Sequence, residues 1–213
     1  MIEPLPRELE IRLALSVAPA HLQDEATVYV LDPMVGYTLA KQGSNGFSCV
    51  VARTVPGKAE YRNDLVIPVC YDQEGTDTIL PTRFNIEALR AKGRSKKALQ
   101  EELAQNFKYQ APKRNGFAPM LSSIFRTYLG PDATQPTLLN YPNLMFYAPC
   151  VKNADIAGRL FDQTYPWVLD GALEGGSPHT LIIQAVGEWR TFAPLSKNGV
   201  SKGGRAENTV WGT

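Results

Sequence analysis

The sequence contains few of the residues that metal sites and disulfide frameworks require. It has three cysteines, Cys49, Cys70 and Cys150, and two histidines, His21 and His179. None of the cysteines stands in a Cys-x-x-Cys pair. Because a structural zinc site needs four Cys or His ligands at short spacings, we expect no metal centre. Three cysteines also allow one disulfide at most within the chain.

Long hydrophobic runs and nucleotide-binding motifs are absent as well. Every apolar run is interrupted before the roughly 18 residues that a membrane-spanning helix needs. Gly-rich phosphate loops, His-Glu-x-x-His and EF-hand spacings do not occur, so we expect no cofactor, no nucleotide hydrolysis and no metalloprotease chemistry. Residues 1–10 lack the basic and apolar regions of a signal peptide. The chain is therefore either cytoplasmic or an exported protein whose leader is not in this sequence.

The composition is that of an ordinary globular protein. Of 213 residues, 44% are hydrophobic, and 22 Lys and Arg stand against 21 Asp and Glu. The 17 Gly and 16 Pro follow no period, which excludes collagen, and the apolar content excludes a disordered chain. A net charge of +1 provides no general attraction to nucleic acid or to an anionic membrane.

The first third of the chain predicts a helix followed by a β-meander. Leu5, Leu9, Leu13 and Val17 recur every four residues, which is typical of an amphipathic helix. Strand-like runs follow, and the Asn-Gly within residues 43–46 predicts a tight hairpin. The runs that we expect to be strands are residues 27–31, 37–41 and 47–53.

The remainder mixes short strands with helices. Pro68 lies inside a strand-like run, 65–71, which places that strand at a sheet edge or a bulge. Asn85 and Ser95 are expected to cap two helices, and Asn153 a third helix over 153–161 with Ile156 and Leu160 turned inward. The other expected strands are 119–128, 143–151, 166–169 and 180–186. Short connections favour one α+β domain over 1–193 with a mostly antiparallel, meandering sheet, followed by a loosely held polar tail over 194–213.

Cys49 and Cys70 each lie in a strand-like segment, with turn residues between them. If these strands are neighbours, a disulfide between the two residues is sterically possible. Two reduced, buried thiols fit the same pattern. The sequence by itself leaves both alternatives open, and in either case Cys150 is left over.

Five short segments resemble, in the same order, a family of uncharacterised bacterial proteins that commonly carry signal peptides. The segments are 42–49 (QGSNGFSC), 67–72 (IPVCYD), 120–122 (MLS), 144–149 (LMFYAP) and 175–183 (GGSPHTLII). The resemblance spans roughly residues 10–187 and implies a secreted or periplasmic protein with a Cys49–Cys70 disulfide. It implies no activity. The chain departs from the family pattern in its basic helical segment and in Cys150.

The region from residue 147 to 179 is the best candidate for a ligand site. Tyr147, Tyr165 and Trp167 are aromatics that can form the wall of a small-molecule pocket. Asp155 and His179 add titratable groups to the same region. The alternative is that the aromatics belong to the core and that His179 is a hydrogen-bonded structural residue.

The same region offers parts for a small hydrolase. A cysteine nucleophile needs a histidine base and an orienting acid within hydrogen-bond reach. The available residues are Cys49 or Cys150, His179, and Asp155 or Asp170. Because no nucleophile motif accompanies them, catalysis by Cys150, His179 and Asp155 is the second hypothesis.

Residues 83–114 form a basic segment with nine Lys and Arg against three Glu. Free backbone N–H groups at the Ser95 helix start add to its positive field, so phosphate or nucleic acid is a third possible ligand. No aromatic residues interleave the cations of 90–97, which favours a solvated helix surface.

The sequence as a whole favours a soluble, exported binding or structural domain whose ligand is an unknown small molecule or protein.

Overall fold

The computed structural model describes residues 3–55, 60–105, 112–121, 124–127, 134–169, 180–188 and 190–192. The helices are α1 Arg7–Ser16, α2 Ala20–Gln23, α3 Gln73–Thr78, α4 Leu80–Ala91, α5 Lys96–Gln105 and α6 Asn153–Ile156. The strands are β1 Thr27–Asp32, β2 Gly36–Lys41, β3 Ser48–Ala52, β4 Thr54–Val55, β5 Glu60–Tyr61, β6 Ile67–Tyr71, β7 Phe117–Met120, β8 Ile124–Thr127, β9 Thr137–Asn140, β10 Asn143–Tyr147, β11 Trp167–Leu169, β12 Leu181–Ala185 and β13 Arg190–Phe192. Helices and antiparallel-rich sheets together confirm the α+β class.

The first sheet has the order β2-β1-β3-β6, and it corrects the predicted hairpin. β2 and β3 do not pair; β1 lies between them, antiparallel to β2 and parallel to β3. Residues 43–46 therefore form a crossover that packs on the end of β1, where the N–H groups of Ser44 and Asn45 donate to Glu25 O. A Cβ at Gly43 would overlap that same carbonyl, so the close approach requires glycine.

The disulfide prediction is confirmed. β3 and β6 are antiparallel, and their register places Cys49 opposite Cys70, with the two Cα atoms 4.0 Å apart and the sulfurs bonded. Both residues are completely buried. β6 is an edge strand, as Pro68 predicts, because a residue without an N–H group is tolerated there.

Two helices pack on the first sheet. α1 lies over β1, β3 and β6, and α4 lies against β2. The ring of Phe84 on α4 contacts Tyr29 and Tyr37, with centroids 4.7 and 5.4 Å apart. Gly36 is needed beneath α4, since it has a φ of 94° and a Cβ there would come within 2.8 Å of Ala88 N.

The stripe predicted for α1 is only partly correct. Leu9 is 37% exposed, whereas Glu10, Ala14 and Val17 are the fully buried residues along this stretch. The leucine spacing predicts one apolar face of the helix. Because α1 packs closely on the sheet, the face that is buried there carries small side chains and the carboxylate of Glu10 instead.

The second sheet is antiparallel throughout, with the order β11-β12-β10-β7. It joins the first sheet through β7, where the N–H of Asp72 donates to Phe117 O at 3.0 Å. A third sheet has the order β13-β9-β8. One core cluster contains residues of both larger sheets, among them Val50, Met145 and Trp167.

The single-domain boundary at 193 stays a prediction, and the predicted tail, 194–213, lies outside the described residues.

Several predicted boundaries are wrong. Residues 119–128 do not form one strand, because β7 and β8 belong to different sheets. α4 begins at Leu80, so Asn85 is inside it and caps nothing, while Ser95 does cap α5, accepting from Ala98 N–H at 3.3 Å. The third helix ends at Ile156, because Ala157 has a left-handed φ of 53°. Leu160 consequently lies outside the helix and is exposed.

Among the described residues, no helix is long and apolar enough to cross a membrane.

Candidate functional site

The structure separates the predicted ligand residues into two groups. Tyr147 and Trp167 are 4% and 2% exposed and pack in the core, where Trp167 Nε1–H donates to Tyr141 Oη at 2.9 Å. Tyr165, in contrast, is 48% exposed. Asp155 is exposed and accepts from Lys152 N–H at 2.8 Å, which fixes the start of α6. The four described residues therefore differ in burial, with two in the core and two exposed, and His179 lies outside the described residues.

Tyr147 is held between two glycines. Its ring passes over Gly116, and its hydroxyl reaches Gly75 of α3; a Cβ at either glycine would overlap the tyrosine. The hydroxyl is buried, and among the described residues it makes no hydrogen bond of ordinary geometry, although the Asp72 side chain lies close enough to act on it. Burial is also the main reason that the pKa of Tyr147 is raised, and the nearby Tyr71 and Asp72 raise it further. This tyrosine connects the second sheet to α3, which is a structural role.

The connection between α6 and β11 presents apolar side chains to solvent. Leu160, Phe161 and Tyr165 are 39%, 43% and 48% exposed, and we call these three residues the apolar loop surface. The Phe161 ring also contacts Trp167, with centroids 5.1 Å apart, so the loop is anchored to the core. Three exposed apolar side chains within six residues of one loop make this segment a candidate interaction site.

Backbone strain is concentrated in the stretch of chain that carries this surface. Among the described residues, the non-glycine residues with positive φ are Cys150 at 65°, Ala157 at 53° and Phe161 at 64°. All three lie between β10 and β11. A bulky residue such as Phe161 adopts this conformation at a cost, and such strain is most often retained where a site requires it.

Side-chain hydrogen bonds hold the strained segment in place. The Asn153 amide accepts from Val168 N–H at 2.7 Å and donates to Val168 O at 2.9 Å, and thereby pairs with β11 as a neighbouring strand would. Asp162 accepts from the N–H groups of Thr164 at 2.7 Å and Tyr165 at 3.0 Å. The hydrogen bonds from Thr164 are the largest cause of the lowered pKa of Asp162. The apolar loop surface is therefore presented in a defined conformation.

The structure excludes one of the two proposed cysteine nucleophiles. Cys49 is in the disulfide, so it has no thiol to contribute. Cys150 is free and exposed, in the turn after β10. Its proposed base, His179, and the alternative acid Asp170 lie outside the described residues. Within the described part of the chain, no group of three or more metal-ligating side chains occurs.

The basic segment contains several ion pairs. Arg90 contacts Glu87 at 3.0 Å, Lys96 contacts Glu60 at 2.8 Å, and Arg114 contacts Glu74 at 3.0 Å. The pKa of Glu74 is lowered, chiefly by the Lys113 N–H group and also by Arg114. Glu60 and Glu74 lie outside the segment, so these two ion pairs neutralise part of its excess positive charge and reduce its attraction for phosphate.

A cleft that the sequence did not predict lies between the start of α1 and the β1–β2 turn. Its most unusual wall residue is Glu10, which is 1% exposed and accepts from Leu31 N–H at 3.0 Å. Burial raises the pKa of Glu10, against the opposing effects of the Leu31 hydrogen bond and the charges of Arg53 and Arg7. The signal in the sequence is that Glu10 stands four and seven residues before Ala14 and Val17, which is helical spacing.

Glu10 has a testable effect on the pH dependence of stability. Its unfolded carboxyl ionises near pH 4.5, but the folded one retains its proton to higher pH. The contribution of protonated Glu10 to the free energy of unfolding is therefore full below the pKa of the unfolded chain, and it is lost as pH rises through the pKa of the folded protein. We expect Glu10→Gln to become more stable relative to wild type on going from about pH 4 to about pH 7.

Urea denaturation of both proteins at the two pH values measures this difference, and Glu8→Gln, an exposed position on the same helix, is the control. If the difference in unfolding free energy between Glu10→Gln and wild type does not change with pH, the prediction is wrong.

The site can also be compared with known proteins. The described geometry consists of a buried disulfide in one sheet, a strained apolar loop beside the other, and a cleft with a buried carboxylate at α1. No protein-family model, no curated protein and no solved structure matches the chain.

Proposed function

We propose that this protein is an exported, disulfide-bonded binding domain that recognises an apolar partner protein through the apolar loop surface. The observation that carries the proposal is the exposure of Leu160, Phe161 and Tyr165 on a segment whose backbone is strained yet fixed by hydrogen bonds. Function, rather than stability, accounts for such an arrangement. The partner class follows from the chemistry of the surface.

The three side chains are two aromatics and a leucine. Aromatic residues are enriched at protein–protein interfaces because they bury a large area at a small cost in side-chain entropy. The charged residues nearest in sequence, Arg159 and Asp162, have opposite signs, so the surface offers no net field for a nucleic acid. An apolar segment of another protein fits this surface best.

Export is supported by the disulfide. A disulfide persists in oxidising compartments and is rare in the cytosol of most organisms. The buried Cys49–Cys70 disulfide and the resemblance to proteins with signal peptides both favour a secreted or periplasmic location.

A hydrolase that uses Cys150 is the second candidate. The observation in its favour is that the thiol is exposed, in a turn where Cys150 has a left-handed φ of 65°. Such an enzyme would require Cys150, whereas the proposed binding domain does not.

Selection from a random peptide library displayed on phage tests the proposal. We expect enrichment of peptides with apolar side chains, and a loss of about tenfold or more in their affinity for Phe161→Ser and for Tyr165→Ser. Met34→Ser is the matched control, because Met34 is a 77% exposed apolar residue in the β1–β2 turn. Cys150→Ser should also bind normally.

Thermal melting of each variant first establishes that it is folded. Equal affinity for the loop variants and for Met34→Ser would overturn the assignment of the binding surface. A requirement for Cys150 would favour the hydrolase.

A further inference from the structure

A small cleft lies between the first turn of α1 and the β1–β2 hairpin, with a volume of about 180 Å³. It combines charged and apolar walls. The residues that line it are Pro4, Leu5, Arg7, Glu10, Val30, Leu31, Asp32, Pro33 and Thr38. Because pockets for drug-sized ligands measure roughly 300–1,000 Å³, this cleft fits only a small molecule.

Two opposite charges line the cleft without forming an ion pair with each other. Arg7 and Glu10 are three residues apart on α1, so their side chains leave the same side of the helix. Both are described, and no salt bridge joins them within the described part of the chain. Arg7 Nη2 instead donates to Ala40 O at 3.4 Å, and Glu10 accepts from Leu31 N–H at 3.0 Å. Their charged ends are therefore held apart, at separate points of one cleft.

Neither charge lies where stability alone would place it. Arg7 is the first residue of α1, where a positive charge opposes the helix dipole. Glu10 is 1% exposed, and the burial of a carboxylate is costly. The Leu31 hydrogen bond and the charges of Arg53 and Arg7 offset this cost only in part, because the pKa of Glu10 is still raised. A ligand with an ammonium and a carboxylate group would add an opposite charge beside each residue.

We propose that this cleft binds a free α-amino acid with a small apolar side chain. The ammonium group of the ligand pairs with Glu10, and its carboxylate pairs with Arg7. Asp32 adds negative charge on the hairpin side; one of its oxygens accepts from Met34 N–H at 2.7 Å. Leu5 and Pro33 provide the apolar contact for the side chain. The site is independent of the apolar loop surface, and either assignment can fail without the other.

NMR titration with L-leucine tests this proposal on the intact, oxidised chain. The Leu31 amide is a direct reporter, because its N–H donates to Glu10. We expect a saturable shift of the Leu31 resonance with L-leucine. N-acetyl-L-leucine, which lacks the ammonium group, and L-leucinamide, which lacks the carboxylate, should each bind about tenfold more weakly or worse.

Variants of exposed residues keep the test independent of folding. Arg7→Gln should weaken L-leucine binding by about tenfold, whereas Arg12→Gln, an exposed arginine further along α1, should not change it. No shift of Leu31 with L-leucine at millimolar concentration would overturn the proposal. Equal binding of L-leucinamide, or an equal loss in the Arg12→Gln control, would also overturn it.

Discussion

The double variant Cys49→Ala, Cys70→Ala is expected to lose about 3 kcal/mol of unfolding free energy relative to the oxidised wild type. The disulfide joins residues 21 positions apart and so restricts the unfolded chain. Both sulfur atoms are fully buried, and their removal also leaves small cavities between β3, β6 and α1. Urea denaturation measures the difference.

Reduction of the wild type provides an independent comparison, because it removes the bond and leaves the sulfurs in place. Wild type in strong reductant should approach the stability of the double variant. Cys150→Ala is the control and should stay within about 0.5 kcal/mol of wild type, since Cys150 is exposed and unbridged. If reductant leaves the wild-type midpoint unchanged, the disulfide does not stabilise the fold.

Gly75→Ala is expected to destabilise the protein by about 2 kcal/mol, although alanine at a helical position normally stabilises by about 0.5–1 kcal/mol. The opposite sign arises because a Cβ at Gly75 would overlap the buried hydroxyl of Tyr147. Tyr147→Phe alone should be neutral or slightly stabilising, because it removes a buried hydroxyl that makes no hydrogen bond of ordinary geometry with a described residue.

The two changes should not be additive. Tyr147→Phe removes the oxygen with which the new Cβ collides, so the double variant should recover about 1 kcal/mol of the loss from Gly75→Ala. Part of the loss remains, since the ring carbon Cζ of residue 147, which phenylalanine keeps, and Tyr71 Cβ would lie 2.8 and 2.9 Å from the new atom. Denaturant unfolding of wild type, the two single variants and the double variant provides this double-mutant cycle. Additive effects would show that Tyr147 does not occupy the space above Gly75.

The residue types in each segment predict where helices and strands occur better than they predict which strands pair with each other. Pro68 correctly predicted an edge strand and Ser95 a helix start, because each depends on the backbone groups of its own segment. The Asn-Gly at residues 45–46 indicated a turn but wrongly predicted a hairpin. Residue periodicity says that two strands exist, but it does not say that β1 inserts between them.

The candidate site shows the same limit. Trp167 and Tyr165 were grouped because they are aromatic and close in sequence, yet one is in the core and the other faces solvent. Strand β11 begins between them at Trp167, and tertiary packing alone determines which side chain turns inward. The burial of Glu10 is not predictable from its helical spacing, because a glutamate in a helix is normally on the solvated side.

The intact mass of the protein isolated from the cells that make it, measured before and after reduction, tests the account of an exported, disulfide-bonded domain most directly. We predict a native mass lower than the reduced mass by two hydrogen atoms, with peptide mapping that places the bond between Cys49 and Cys70 and leaves Cys150 as a thiol. Three free thiols in the native protein, or a bond that involves Cys150, would contradict it.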